Sequence, residues 1–228
     1  MRKNSFIYSF FVVLCYIPAV AFSQIHTSEL DAEFGVDFEL IKDVDFECAV
    51  GSRYNTNVLT LDSYFFEAGL DYELINDLDV SLTHKIRNNY THQGYFLDQK
   101  TSLSLQYKYE LDRLGFQIRN KFEMEKDMYT EDASDLFFSY EDRNRFKIYY
   151  ERKKWEWEPS FSVETFHPAH YNTNYFSVSQ IRYSCGVEID LDVLKKFEVE
   201  IEYTFKQYFQ KSIPETRSRI TVSFAKGF

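Results

Sequence analysis

The stretch "LDAEFGVDFEL", residues 30–40, sets Leu30, Ala32, Phe34, Val36, Phe38 and Leu40 on one parity and Asp31, Glu33, Gly35, Asp37 and Glu39 on the other. Successive side chains of a β-strand point to opposite faces, so the segment predicts a strand with one apolar and one ionic face. A helix would scatter the same residues around its circumference. The pattern returns in "YFFEAGLDYEL" from Tyr64, "LSLQYKYEL" from Leu103, "IRYSCGVEIDL" from Ile181 and "FEVEIEYTFKQYF" from Phe197. Several runs span roughly 10–13 residues, longer than the roughly 5–6 of a soluble strand and suited to the roughly 9–11 that cross a bilayer at a tilt.

Two all-β architectures produce this alternation. A soluble sandwich buries the apolar face as its core, whereas a membrane barrel turns it toward lipid. Charges of both signs on the polar faces suit a solvated or salt-bridged lumen. The aromatics toward strand ends (Tyr64, Tyr72, Tyr107, Tyr109, Trp155, Trp157, Tyr203, Tyr208, Phe209) suit interfacial girdles. With 18 Tyr and 23 Phe against 7 Gly and 4 Pro, the composition fits long aromatic strands better than a loop-rich fold.

Connections between the runs alternate in length. "IKDV", "LINDL", "LDRLG", "ERKKW" and "LDVLKKF" read as short turns, while "RNNYTHQGYFLD", "EKDMYTEDASD", "ETFHPAHYNTNYF" and "FQKSIPETR" read as longer polar connections. Such rotation predicts a transmembrane antiparallel up-and-down β-barrel. The runs number about eleven, whereas bacterial single-chain barrels favour even numbers, so roughly 10 to 12 strands are expected. The count turns on "DLFFSYEDRNRFKIYY", one strand or two, and on the segment before Leu30, which has room for another.

The first residues read as an export signal. "MRKN" is a positive start, "FIYSFFVVLCYIPAVAF" an apolar run and "AFS" a small-residue cleavage site, so residues 1–23 are expected to be a signal peptide and 24–228 the barrel domain. Pro18 and the small residues that follow disfavour a membrane anchor, and Leu14 disfavours lipidation at Cys15. Cleavage removes Arg2 and Lys3, deepening a formal net charge of −10. An acidic chain lacks the basic footprint that nucleic acid requires. Cys48 and Cys185, the cysteines left, do not make a disulfide framework.

At the other end, "ITVSFAKGF" puts Ile220, Val222, Phe224 and Phe228 on one parity, interrupted by Lys226. A terminal phenylalanine resembles the signal that outer-membrane barrels present to their assembly machinery. "DRNRFKIYYERKKWEWEPSFSVETF" and "QIRYSCGVEIDLDVLKKFEVEIEYTFKQYF", with Arg143, Arg145, Tyr150, Pro159, Glu164 and Arg182, resemble the Bacteroidetes outer-membrane β-barrels catalogued as domain of unknown function 2490. The hairpin "EAGLDYELINDLDVSLTHKIRNN" extends the likeness over nearly the whole mature chain. The resemblance implies a barrel in a bacterial outer membrane, with lipid and the assembly machinery as partners, and it implies no reaction.

A lumen of this size is narrow enough for side chains to fill. The expected charge network sets Arg145 and Lys147 beside Glu156, Glu158 and Glu164, and Glu198, Glu200 and Glu202 beside Arg217 and Arg219. It would either plug the interior or line a selective channel. Catalytic chemistry leaves little trace. His84 shares the apolar parity with no serine or acid tied to it, and His167 and His170, near Glu164, flank a proline in a polar loop. His26 and His92 lie in polar segments. No metal, cofactor or catalytic residue is assigned, and the chain is expected not to be an enzyme. Three roles remain: a structural barrel whose loops bind an unidentified surface partner, a narrow passive pore, or a rim-located lipid-modifying enzyme.

Overall fold

The computed structural model describes residues 25–56, 60–91, 94–127, 138–151, 157–169, 177–191, 197–209 and 215–227. They form eleven strands: β1 (Ile25–Ile41), β2 (Val44–Asn55), β3 (Thr60–Ile75), β4 (Leu78–Thr91), β5 (Gly94–Leu111), β6 (Leu114–Asp127), β7 (Phe138–Tyr150), β8 (Trp157–Pro168), β9 (Gln180–Asp190), β10 (Phe197–Tyr208) and β11 (Glu215–Gly227). Each strand bonds to its sequence neighbours, and β1 meets β11 to close the barrel.

The closing pair is parallel, with Ile25 opposite Glu215 and Asp37 opposite Gly227. An up-and-down walk of odd length leaves its first and last strands pointing the same way, so the seam must be parallel. The preference for an even count therefore yields here. "SYEDRNRFKIYY" lies in the single strand β7, and the segment before Leu30 is the start of β1. Ile25 and Gly227 consequently lie at opposite rims, called upper and lower below.

At the lower rim, Lys42–Asp43, Asn76–Asp77 and Asp112–Arg113 make tight turns, with Asp43, Asp77 and Asp112 at φ 66°, 71° and 59°. A short polar side chain tolerates this left-handed backbone better than a branched one. Of the four connections expected to be long, the one between β4 and β5 departs from that rotation, while the other three fall between strands at the upper rim. Thr91 pairs with Gly94, so "RNNYTHQGYFLD" is almost all strand rather than loop. The strands it joins run 14 and 18 residues, beyond what a bilayer crossing needs, and they stay paired outside the apolar zone.

The two faces settle which way the apolar side chains point. Leu30, Phe34, Phe66, Leu82, Leu103, Ile118, Phe146 and Ile220, from seven strands, face outward and are 38–58% exposed. Among the described residues the buried set holds three phenylalanines against fourteen polar or charged side chains. A soluble sandwich would reverse that ratio, because desolvating unpaired charge is far costlier than burying hydrocarbon. The chain is a membrane β-barrel, apolar outside and ionic within.

Aromatics gather near the upper rim, where Tyr95 packs 6.4 Å from Tyr64 and 5.2 Å from Tyr90, ring centre to ring centre. Tyr208 leaves the expected girdle. It faces inward with the Arg217 guanidinium 5.4 Å from its ring. Lys226, which breaks the apolar parity, sits at the lower rim opposite Phe197, where an ammonium reaches the headgroup layer along its stem. Trp155 and Phe228 lie outside the described residues.

Candidate functional site

The inward residues converge on two carboxylates. Glu164 of β8, 3% exposed, accepts hydrogen bonds from Arg119 at 3.0 Å, Arg143 at 3.1 Å and Arg182 at 2.9 Å. Register explains the gathering: Glu164 lies opposite Arg145 on β7 and Arg182 on β9, with Arg119 one strand further, opposite Arg145. Phe166, the next inward residue of β8, has the guanidinium carbons of Arg143 and Arg182 each 4.6 Å from its ring. Stacking on that ring orients the planar forks. Arg143 reaches on to Glu123 at 3.1 Å, which Lys100 also pairs at 3.3 Å, so the network continues across β5, β6 and β7.

The second centre is the seam. Glu29 of β1 lies opposite Arg219 of β11 and receives its Nε and Nη2 at 2.9 and 2.7 Å. Arg217 and Lys206 approach the same carboxylate at 3.4 and 3.6 Å. Asp31, 1% exposed, takes a two-pronged bond from Arg53, both prongs 2.9 Å, and meets Arg219 at 3.2 Å. The parallel pair is thus clasped by charge-assisted bonds as well as by its backbone ladder.

The expected network is only partly the one the strands assemble. Arg145 does lie across from Glu164, yet its Nη2 donates to Gln117 at 2.8 Å. Lys147 stands opposite Gln117 and Ser162. Glu158 faces Glu188, and Glu156 lies outside the described residues. Glu198, Glu200 and Glu202 stand opposite Ala225, Ser223 and Thr221, while Arg217 and Arg219 stand opposite Lys206 and Thr204. Hairpin register sets those glutamates one to three inward positions below Arg219 and two to four below Arg217, so the two arginines turn to Glu29 and Asp31 across the seam. Glu29 was missed because Arg219, its main partner, is 190 residues away in the chain, and Asp31 because its pairing with Arg53, 22 residues on, depends on the register of β1 against β2. The one available signal was their parity, which matches the inward face of "LDAEFGVDFEL".

Charge sign divides the lumen by height. A cavity of about 580 Å³ in the upper half is lined by eleven arginines and lysines and five glutamates. A second, of about 460 Å³ toward the lower rim, is lined by six aspartates and glutamates and three basic residues. Glu67, Thr83, Arg119 and Lys121 line both and form the neck between them. Below the neck, acids stand directly opposite acids: Glu188 between Glu158 and Glu200, and Asp45 against Asp71.

The remaining candidates sit on the lipid-facing side. His84 Nδ1 is 2.9 Å from the Thr101 hydroxyl, and His167 Nε2 is 3.0 Å from that of Thr165. The side chain of His26, and His92 and His170, lie outside the described residues. Cys48 and Cys185 form no disulfide and stand among apolar neighbours, Cys48 opposite Val36 and Ala68. Among the described residues no three His, Cys, Asp or Glu side chains gather as a metal site.

No curated protein matches the chain. A family profile described as "Protein of unknown function (DUF2490)" matches residues 32–217, from the middle of β1 into β11. That span carries the whole Glu164 cluster and stops just short of Arg219. With more than four-fifths of its length matched, and the matched strands forming one continuous barrel wall, the chain belongs to the DUF2490 family.

Proposed function

We propose that this protein is a structural barrel of a bacterial outer membrane, closed to ion flow by its own ion pairs, that presents its upper-rim connections to a surface partner and acts without a catalytic centre. The observation that carries the reading is the inversion of burial, with phenylalanines and leucines turned outward and Glu29, Asp31, Glu123, Glu164 and Lys206 turned inward. An exported chain of this kind finds its one apolar solvent in the outer membrane. Where the two cavities meet, Glu67, Arg119 and Lys121 are each held in ion pairs, with Lys85, Glu164 and Glu123, which supports a mid-lumen closed to ion flow.

The placement is tested by membrane fractionation with gel migration before and after boiling. A boiling-dependent shift in the outer-membrane fraction is expected, and a mature chain that stays in solution without detergent would sink the reading. Closure is tested in planar bilayers. The unaltered barrel is expected to be silent, and replacing Glu67 and Lys121 together by alanine is expected to open conductance steps. Steps from the unaltered barrel that change in Glu200→Gln or Arg219→Gln would favour a narrow pore instead.

A further inference from the structure

We propose that the upper cavity is a binding site for a small, soluble, multiply charged oxyanion, one whose recognised groups are phosphates or carboxylates. At about 580 Å³ the cavity has the size of a ligand site, but its walls are ionic, so an apolar occupant would strand charges. The sign of the occupant follows from the lining. Eleven cations and five carboxylates face the space, and two carboxylates behind that lining already serve several cations each. Glu164 is shared by three arginines, and Glu29 by three arginines and a lysine.

Donors face the space as well. Arg119, Arg143 and Arg182 line the cavity with side chains 13–23% exposed, and it is these partly open forks, not their buried Nε atoms, that an oxyanion would meet. Their forks are held by Glu164 and by the Phe166 ring, and a pre-oriented guanidinium suits a bidentate oxyanion better than a mobile ammonium does. Low-dielectric walls strengthen each such contact. The occupant is a solute rather than a lipid headgroup, because among the described residues every strand is bonded to both neighbours.

The test is calorimetric titration of the folded, detergent-solubilised mature barrel at low salt with pyrophosphate, citrate, sucrose and spermidine. Saturable, salt-sensitive binding of pyrophosphate or citrate is expected, and which of the two binds tells phosphate from carboxylate recognition. Arg182→Gln is expected to weaken binding by more than about tenfold. Arg87→Gln, at a lining arginine outside the Glu164 cluster, weakens it less, and Glu141→Gln, which removes a lining carboxylate, tightens it. Migration before boiling reports folding of each variant, so failure of the site is distinguishable from failure of the barrel. A folded barrel that binds neither anion, binds spermidine or sucrose as well, or responds to none of the substitutions overturns the proposal.

Discussion

At the scale of single residues, Glu164 carries the largest consequence. One carboxylate offers about four acceptor positions, and here three arginines use them. Glu164→Gln keeps the shape, removes the charge and leaves three cations crowded in a buried wall. Breaking a buried pair from one side costs about 3–5 kcal/mol, and the prediction is a loss of that order in a urea unfolding series in detergent. If the midpoint of Glu164→Gln matches that of the parent, the cluster is solvated and not structural. Sequence reasoning reached Glu164 through parity and family likeness. It did not reach the four-residue grouping with Phe166, because an inward phenylalanine breaks the apolar parity that made the strands legible.

Among the strands, shape complementarity adds to charge. Gly115 of β6 lies opposite Tyr149 of β7, and a methyl group added at Gly115 would land inside the tyrosine ring. The ring therefore lies over the bare backbone of its neighbour, as Phe65 lies over Gly51 on the other side of the barrel. Gly115→Ala is predicted to cost about 1–3 kcal/mol by overpacking. Combining it with Tyr149→Ser removes the clash, so the double variant is expected to be more stable than the two single losses summed. Additive losses in that cycle would show the pair to be uncoupled. The strand pattern was readable because alternation is a local, period-two property. The links "RNNYTHQGYFLD" and the turn aspartates show its limit, since polarity marks a loop and an over-long strand alike.

For the molecule as a whole, the decisive feature is the parallel seam. Ala32 and Val222 are register partners on the outward face, so cysteines placed there are predicted to form a disulfide when Cys48 and Cys185 are first replaced by serine. Oxidation should lock the barrel and raise its unfolding temperature. If Ala32→Cys and Val222→Cys fail to cross-link in a folded barrel, the closure drawn here is wrong even if the hairpins are right. The same seam places Ile25 and Gly227 at opposite rims and joins Glu29 and Asp31 to Arg219, which ties closure of the wall to the basic upper cavity.

Alternation alone, read along the chain, determined that this protein is made of long two-faced strands and which residues of a strand share a face. Those are local properties, decided by the geometry of an extended backbone. The parallel closing seam, the partners of Arg217 and Arg219, the like-charge pairs near the lower rim and the division of the lumen into basic and acidic halves came only with the closed barrel. Each depends on register between strands, and register is fixed by turn backbone and by one long-range closure that no window of sequence contains.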